Sequence, residues 1–366
     1  MKKALKIIGI TLLVIVIVAV LAVGGYVIYV VAEYDRIPDN QKLDVEGGAD
    51  SGLGTGVEYT AVTYNIGFGA YTPDFTFFMD SGVMSDGTEV TGKLGKAINK
   101  EHVLGAINGA SGILKAQNAD FILVQEVDTD ADRSYHVNEL GMLNKALGEG
   151  YDRAFAVNFH SAYLMYPLND FHGKTTAGIV TYSRYNITES VRRSYPVDDG
   201  LAKFFDLDRC FMLNRIPVEG GRELVLINSH MSAYDEGGAI REQQLRLLNE
   251  VIAEEYGKGN YVVVGGDFNH ELADSLGTFP SEQQTPEWAY PLTDDMLAEG
   301  FRIVATKEGT GTCRAAEIPY EKGVNYLTVP DGFIVSDNVE TISIENIDTG
   351  FAFSDHNPVK FTFKLK

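Results

Sequence analysis

Eight polar side chains of this chain lie beside short apolar runs. They are Asn65, Glu126, His230, Asp267, Asn269, Asp331, Asp355 and His356. Most of them end a run, whereas Asp331 begins one, and Asp355 and His356 precede one. Carboxylate and amide oxygens are the ligands that Mg²⁺ and Mn²⁺ prefer, and a substrate phosphate can complete such a shell. A histidine titrates near neutrality, so it suits a general base toward water or a donor to phosphoryl oxygens. The joint set is what a phosphoester site with a divalent cation would require.

Each of these residues taken alone also has a structural interpretation. Polar side chains cap strands and form Asx-turns, and an Asp-His pair such as Asp355 and His356 occurs in ordinary surface loops. The pattern favours chemistry only because the side chains recur at the ends of separate runs, from which folding can bring them together.

The elements that must position these side chains are short strands and two helices. Apolar runs or alternating patterns predict strands at 58–66, 120–126, 223–230, 261–270, 329–336 and 359–365. Helical spacing of apolar residues predicts helices at about 97–117 and 239–256. Adjacent strands often lack room for a crossover helix, so the pattern favours an α/β sandwich of sheets covered by helices over a regular βαβ alternation.

Six segments resemble the ordered signature of the endonuclease/exonuclease/phosphatase superfamily. They are TYNI (63–66), VQE (124–126), NSH (228–230), GGDFN (265–269), DGFIVS (331–336) and SDHNPV (354–359). The superfamily includes deoxyribonucleases, abasic-site endonucleases, neutral sphingomyelinases and inositol polyphosphate 5-phosphatases. The resemblance implies a four-layered α/β sandwich, two packed mixed sheets flanked by helices, that cleaves phosphoester bonds with Mg²⁺ or Mn²⁺ as cofactor.

The resemblance also implies a metal region and a phosphate donor. Glu126 matches the metal-binding glutamate of the family, and Asn65 matches the asparagine that supports the metal and the catalytic groups. Asp355 resembles the residue that completes the metal region. His230 falls where hydrolytic members place a histidine that donates to the phosphate or the leaving group.

The remaining catalytic roles fall on four residues. Asp267 is expected to orient or activate the nucleophile or leaving group, and Asn269 to contact the phosphoryl oxygens. His356 resembles the catalytic histidine, which accepts or shares the proton of an attacking water, and Asp331 resembles its hydrogen-bonded orienter. Many members have an aromatic residue where this chain has Gly332, which predicts a more open wall beside Asp331.

Substrate selection depends on loops, where the sequence leaves alternatives open. Arg133 and Lys174 are candidates for neutralising a substrate phosphate, and each is also interpretable as an ordinary surface cation. Residues 67–80 follow the strand that carries Asn65, so they are expected to border the site. Their apolar members, Phe75, Phe77, Phe78 and Met79, are either core residues or an exposed apolar rim. A rim of that kind would suggest lipid head groups as substrate.

The N-terminal region predicts a membrane anchor. Residues 7–32 are an apolar run of 26 residues, roughly 39 Å of helix, which is enough to cross a bilayer. Three lysines precede the run and acidic residues follow it, so the positive-inside rule predicts a cytoplasmic N-terminus. We expect residues 1–32 to form a cytoplasmic tip and a signal anchor, residues 33–56 a flexible linker, and residues 57–366 an extracytoplasmic catalytic domain at the cell membrane. A cleaved signal peptide is the alternative for the first segment.

The net charge and the cysteine content limit which partners and cross-links the chain can have. Residues 57–366 carry 25 Lys and Arg residues against 45 Asp and Glu residues, a formal charge of −20. This charge disfavours a protein that grips nucleic acid through many phosphate contacts. Cys210 and Cys313 either form a disulfide or remain free. No protein partner is inferable from the sequence.

Three functions are compatible with these features. The favoured function is a membrane-anchored, metal-dependent phosphodiesterase or phosphatase that acts on a small-molecule or lipid phosphoester. An extracellular nuclease of the same superfamily is the alternative, so nucleic acid stays a possible substrate. A non-catalytic binding domain that retained the fold is the third.

Overall fold

The computed structural model describes residues 2–197, 208–233, 238–286 and 288–366. The helices in these ranges are α1 (Lys2–Glu33), α2 (Lys100–Gln117), α3 (Glu139–Leu147) and α4 (Ala239–Gly257). The strands are β1 (Gln41–Lys42), β2 (Val45–Glu46), β3 (Glu58–Asn65), β4 (Ser81–Val83), β5 (Glu89–Thr91), β6 (Phe121–Ala131), β7 (Asp152–His160), β8 (Thr175–Ser183), β9 (Glu189–Ser194), β10 (Cys210–Pro217), β11 (Glu223–His230), β12 (Tyr261–Asp267), β13 (Phe301–Val304), β14 (Cys313–Arg314), β15 (Leu327–Thr328), β16 (Asp331–Ser336), β17 (Val339–Asn346) and β18 (Val359–Leu365).

Two seven-stranded mixed sheets pack face to face. The first has the order β1-β9-β10-β11-β12-β16-β13, and the second has the order β17-β18-β3-β6-β8-β7-β2. Within them, β11 pairs with β12 in parallel and β3 pairs with β6 in parallel. The inner faces meet in one apolar cluster, in which the rings of Phe333 and Phe361 are 4.9 Å apart.

Helices cover both outer faces, so the domain has four layers. Residues of β6 alternate between the two sides, as a period of two requires. Leu123 packs in the cluster between the sheets, whereas Ile122 and Val124 pack in the cluster beneath α2. On the other side, Leu248 of α4 packs in the same cluster as Val262 of β12. The predicted α/β sandwich is therefore confirmed.

The strands that carry the predicted functional side chains end at one edge of the sandwich. Asn65 at the end of β3 is in register with Gln125 of β6. His230 at the end of β11 pairs with Asp267 at the end of β12, and Asp267 pairs with Asp331 at the start of β16. We call this edge the catalytic edge.

The segment 33–56 is bound to the sandwich along much of its length. β1 pairs with β9 and β2 pairs with β7, so the segment adds one edge strand to each sheet. Leu53 is fully buried. Its polar, Gly-rich sequence suggests a flexible tether, but the contacts of this segment are made mainly by its backbone, which composition does not report. The division of the chain at residues 33 and 57 stays a prediction.

The sequence left open whether the apolar residues of the loop after β3 are core residues or an exposed rim. Phe75 and Phe77 are buried core residues, and Phe78 is partly buried against the same cluster. Met79 is exposed. The segment is therefore mostly core packing. Cys210 and Cys313 are both buried and free, so no disulfide joins them.

Candidate active site

Close backbone packing brings His230 beside Asp267. Gly266 precedes Asp267 with a φ of +153°, and a Cβ at this position would lie 1.9 Å from the carbonyl oxygen of Ser229. Only glycine permits this approach of β12 to β11. The glycine pair in GGDFN therefore has a structural reason, which is to let the last residues of two parallel strands stand side by side.

His356 and Asp331 form a buried hydrogen-bonded pair. Nδ1 of His356 is 2.8 Å from Oδ2 of Asp331. Because the carboxylate only accepts, Nδ1 donates and Nε2 is left to exchange a proton. Burial alone would lower the pKa of His356, but the carboxylates of Asp331, Asp267 and Asp355 raise it well above the ordinary value. Ser354 holds the backbone of this pair, since its Oγ accepts from the His356 N–H at 3.1 Å.

Asp267 is the carboxylate on which the site converges. Its Oδ2 accepts a hydrogen bond from Nδ2 of Asn65 at 3.0 Å, and its Oδ1 accepts from the Asn269 N–H at 2.9 Å. The same Oδ2 lies 3.7 Å from Nε2 of His356 and 3.5 Å from Nε2 of His230. These contacts join the ends of four separate strands and loops around one oxygen.

His230 is oriented by a residue that the sequence analysis did not single out. Nη1 of Arg209 lies 2.7 Å from Nδ1 of His230. A guanidinium only donates, so Nδ1 is the acceptor and the neutral ring carries its proton on Nε2. Burial lowers the pKa of His230 well below its ordinary value, and the charge of Arg209 lowers it further. Arg209 directly precedes β10, and no motif marks it in the sequence.

Glu126 reaches the site through a bulge in β6. The register of β6 against β8 shifts between Val124 and Val127, and Glu126 itself has a φ of +56°. A bulge of this kind re-aims one side chain, and a positive φ at a non-glycine residue is uncommon and strained. Oε1 of Glu126 lies 3.8 Å from Nε2 of His230. Burial raises the pKa of Glu126, partly offset by the charges of Arg209 and Arg133.

Asp355 and Asn65 are joined through Ser354. The Ser354 hydroxyl lies 2.8 Å from the Asn65 carbonyl oxygen and 3.2 Å from Oδ1 of Asp355. The side-chain Oδ1 of Asn65 accepts from the Gly67 N–H at 3.0 Å. Gly67 has a φ of +54°, and a Cβ there would lie 3.0 Å from Oδ1 of Asp355. Glycine therefore keeps the loop after β3 close to this carboxylate.

The donor set fits a hard divalent cation. Asp267, Asp331 and His356 offer ligand atoms within 4.8 Å of one another, and so do Cys313, Asp355 and His356. Burial also raises the pKa of Asp355, against the charges of His356 and Arg314. Several carboxylates with raised pKa values in one site would be stabilised by a cation, and their oxygens suit Mg²⁺ or Mn²⁺. Of the residues that the resemblance assigns to the metal, Asp355 belongs to one of these groups, whereas Glu126 and Asn65 belong to neither, so their assignment stays a prediction.

The two predicted substrate cations have partners within the protein. Arg133 is buried, and its Nε and Nη2 donate to both carboxylate oxygens of Asp128 at 3.0 and 2.8 Å. Nζ of Lys174 lies 3.2 Å from Oε2 of Glu33 in α1. These contacts favour structural roles for both residues over the predicted contact with substrate.

Asn269 and Gly332 both lie in closely packed surroundings. The side-chain Nδ2 of Asn269 donates to the Met231 carbonyl at 2.9 Å, so this amide is already held beside β11. The prediction of a more open wall at Gly332 is wrong. A Cβ there would lie 3.0 Å from Cδ1 of Leu272 and 3.2 Å from Cβ of Ala305, so the space that a side chain would take is filled.

Fold and site together define a class, because a two-sheet α/β sandwich with carboxylates and two histidines at one edge is the phosphoesterase and nuclease fold. Residues 62–356 match the model of the Endonuclease/Exonuclease/phosphatase family. The chain belongs to this family, whose members are metal-dependent phosphoester hydrolases.

Solved structures of similar fold come from bacteria and animals. An endonuclease/exonuclease/phosphatase from Beutenbergia cavernae DSM 12333 is 17% identical with a TM-score of 0.57, over 84% of this chain and 72% of that one. A family protein from Leptotrichia buccalis C-1013-b is 13% identical with a TM-score of 0.54, over 84% of this chain and 100% of that one. D. rerio TDP2 complexed with single strand DNA product is 15% identical with a TM-score of 0.51, over 84% and 99%. Comparison with curated proteins gives no significant match.

Proposed function

We propose that this chain is a membrane-anchored, divalent-metal-dependent phosphoester hydrolase whose catalytic domain lies outside the cytoplasm. Its substrate is a small-molecule or lipid phosphoester. The observation that carries this proposal is the position of Asp267 Oδ2 within 3.5 and 3.7 Å of the Nε2 atoms of His230 and His356. A carboxylate oxygen near two imidazole nitrogens can accept a proton from a water molecule while an imidazole donates to a phosphoryl group.

The chemistry we assign to the protein's own groups follows from their fixed tautomers. His230 presents an Nε2–H, so it donates to a non-bridging phosphoryl oxygen. Asp331 keeps Nδ1 of His356 as a donor, so Nε2 of His356 is the nitrogen at which a proton is exchanged. It takes a proton from an attacking water when the ring is neutral and donates to the phosphoryl group when the ring is protonated, and Oδ2 of Asp267 is the other acceptor beside it. A bound Mg²⁺ or Mn²⁺ would supply neutralisation of the charge that develops on the phosphoryl oxygens.

The membrane part of the proposal rests on α1. It is long and apolar enough to cross a membrane, with a mean hydropathy of 3.2 in its most apolar window and no part of that window buried. A signal sequence has the same properties. The lysines in the first turns of α1 and the acidic residues at and after its end support an anchor with a cytoplasmic N-terminus and an extracytoplasmic domain.

A nuclease is the alternative, and one observation favours it. The TDP2 structure that shares this fold holds single strand DNA product. The formal charge of −20 on residues 57–366 weighs against it, because backbone phosphates are bound mainly by Lys and Arg. We therefore place nucleic acid second.

A substrate panel with the full-length protein in nanodiscs tests the proposal. Bis(p-nitrophenyl) phosphate, inositol phosphates, sphingomyelin, glycerophospholipids, RNA and duplex DNA are compared at one salt concentration, with Mg²⁺, with Mn²⁺ and with chelator. The proposal predicts metal-dependent turnover of the aryl diester and of at least one small or lipid phosphoester. Turnover of DNA or RNA alone would favour the nuclease, and no metal-dependent turnover of any member would overturn both.

A further inference from the structure

The last turns of α1 are bound to an apolar loop of the domain. We define the apolar loop as residues 163–171, which lie between β7 and β8. The Tyr26 hydroxyl donates to the Tyr163 carbonyl at 3.1 Å and accepts from the Met165 N–H at 3.1 Å. The Tyr29 hydroxyl, one helical turn later, accepts from the Tyr163 N–H at 3.0 Å. The loop therefore has a fixed height along the axis of α1.

That height coincides with the surface of a bilayer. Lys6 is the last charged residue before the apolar stretch of α1, and Tyr26 lies 20 residues later. At 1.5 Å per residue, the 20 residues from Lys6 to Tyr26 span about 30 Å, which is the thickness of the hydrocarbon core, and the last six residues of the apolar run, 27–32, follow Tyr26. Tyrosines are enriched where such helices leave the hydrocarbon. If α1 spans the membrane, Tyr26 and the apolar loop bound to it lie at its outer surface.

The apolar loop presents large hydrophobic side chains that the described part of the chain leaves exposed. Met165, Tyr166, Leu168 and Phe171 are all exposed, and Leu168 is 80% exposed. Exposed residues of this kind, gathered in one loop beside a membrane span, suit insertion into lipid. The nearby lysines are paired within the protein, Lys96 with Asp170 at 3.5 Å and Lys174 with Glu33 at 3.2 Å. Contact with lipid would therefore be apolar and would need no anionic lipid.

The apolar loop stands at the catalytic edge. β6 carries Glu126 into the site and continues to Ala131, which pairs with Thr175 at the start of β8. The loop before Thr175 therefore lies beyond Glu126 along β6, on the side of the catalytic edge. The ring of Tyr166 packs on Phe78, 5.4 Å between centroids, in the segment that follows Asn65.

Contacts with the first sheet independently place the end of α1 at the catalytic edge. After α1, Nη2 of Arg36 donates to the Tyr195 carbonyl at 2.7 Å, directly beyond the end of β9. That end of β9 pairs with Cys210, and Cys210 pairs with His230. The chain therefore leaves α1 at the catalytic edge of both sheets and runs from there toward the opposite edge.

We propose that the apolar loop lies in the headgroup layer of the bilayer that α1 spans, so that the catalytic edge faces this bilayer and the substrate is the phosphoester of a lipid head group. This inference rests on the proposed function for the hydrolysis itself and names the substrate class. The phosphates of lipids lie in the same layer as the loop, whereas a soluble substrate would have to enter between the domain and the membrane.

Fluorescence quenching tests the position of the loop. Full-length Leu168→Cys and Val57→Cys variants, each carrying a bimane label, are placed in phosphatidylcholine nanodiscs. Val57 is a matched control, because it is 48% exposed and precedes β3 at the edge opposite to the site. Both native cysteines are buried. We expect nitroxide-bearing lipids to quench the label at position 168 and aqueous iodide to quench the label at position 57. Equal iodide quenching at both positions would overturn the docking.

Turnover in the same nanodiscs tests the substrate class. Leu168→Asp is compared with Val57→Asp on bis(p-nitrophenyl) phosphate and on sphingomyelin, phosphatidylcholine and phosphatidylglycerol in the disc. A charge on the loop opposes its insertion, so we expect Leu168→Asp to lower lipid hydrolysis by about tenfold and to change aryl diester hydrolysis by less than about twofold. Val57→Asp should change neither.

These experiments distinguish a failure of the lipid-substrate inference from a failure of the proposed hydrolase function. Metal-dependent hydrolysis of the aryl diester without hydrolysis of any of the lipids would overturn the lipid substrate and leave the hydrolase intact. Equal loss of lipid and aryl turnover in Leu168→Asp would also contradict a role of the loop in docking. Failure of every substrate would overturn the proposed function, and the quenching result would still decide whether the loop lies in the membrane.

Discussion

His230 and His356 approach the same atom: their Nε2 atoms lie 3.5 and 3.7 Å from Oδ2 of Asp267. Their other ring nitrogens face opposite charges, since Nδ1 of His230 faces Arg209 and Nδ1 of His356 faces Asp331. One imidazole is thereby held as a neutral donor, and the other is held so that a proton can be exchanged at Nε2. The two rings are chemically distinct although their distances to Asp267 are similar.

Arg209 should act through the tautomer of His230. In Arg209→Met, Nδ1 of His230 loses its donor, so the proton distributes between both ring nitrogens and fewer molecules present an Nε2–H to the phosphate. We expect kcat to fall by about tenfold to a hundredfold, as for other residues that orient a functional histidine. The ¹⁵N chemical shifts of His230 should show the mixed tautomer. Arg209→Lys, which retains a donor, should preserve more activity than Arg209→Met, and equal activity in both variants would contradict this role.

Replacing Glu126 should affect the stability of the metal-free protein and its metal binding in opposite directions. Glu126→Gln removes a partly buried negative charge beside other carboxylates, so the metal-free protein should melt at the same or a higher temperature. The same change removes a charged oxygen ligand, so the Mg²⁺ concentration for half-maximal rate should rise by about tenfold or more. Thermal melts in chelator and metal titrations of the rate measure the two effects. A lower melting temperature without a change in metal requirement would show that Glu126 is a structural residue.

Acid stability should depend on an ion pair far from the site. Arg215 binds both oxygens of Glu255 at 2.7 and 3.0 Å and so joins β10 to α4. Burial would raise the pKa of Glu255, but hydrogen bonds from Arg215, Lys258 and Asn260 outweigh burial and lower it to about 2. A depressed folded-state pKa contributes stability above the unfolded value of about 4.5, and this contribution is lost as the pH falls toward about 2.

Melting temperatures between pH 6 and pH 2 test the contribution of Glu255. The wild type should lose more stability than Glu255→Gln across this range, so the two curves should converge at low pH. Glu254→Gln is the matched control, because Glu254 is a neighbouring, exposed glutamate of α4 that also pairs with Lys258. Parallel curves for the wild type and Glu255→Gln would contradict the assignment.

The sequence predicts most of the fold that positions the site. The strands 223–230 and 359–365 have the predicted bounds. Their ends can be read from the sequence, because a continuous apolar run and a strict alternation both stop at a definite residue. β7 to β10 were not assigned, since their polar and apolar residues mix; Arg192 of β9, for example, is fully buried. The pairing of β1 and β2 depends on backbone hydrogen bonds to distant strands, which a Gly-rich segment does not indicate.

The sequence predicts part of the site and misses the contacts that tune it. Residues beside diagnostic motifs, such as Asp331 and His356, were found together with their hydrogen bond. Arg209 and the linking role of Ser354 were missed, because neither depends on a local pattern: each acts across contacts between separate elements. The positive φ of Glu126 is likewise set by the bulge between β6 and β8. Arg133 and Lys174 were assigned from charge alone, and charge does not reveal that each has an acidic partner.

The catalytic role of His356 is tested most directly by the rate at which full-length His356→Ala hydrolyses bis(p-nitrophenyl) phosphate with saturating Mg²⁺ or Mn²⁺. His136→Ala is the control, because His136 is an exposed surface histidine paired with Asp130. We expect that chelator abolishes wild-type turnover, that His136→Ala is unaffected, and that His356→Ala, at a temperature at which it is folded, is slower by about two to four orders of magnitude. A folded His356→Ala protein that keeps most of the wild-type rate would show that His356 is not a catalytic residue of this site.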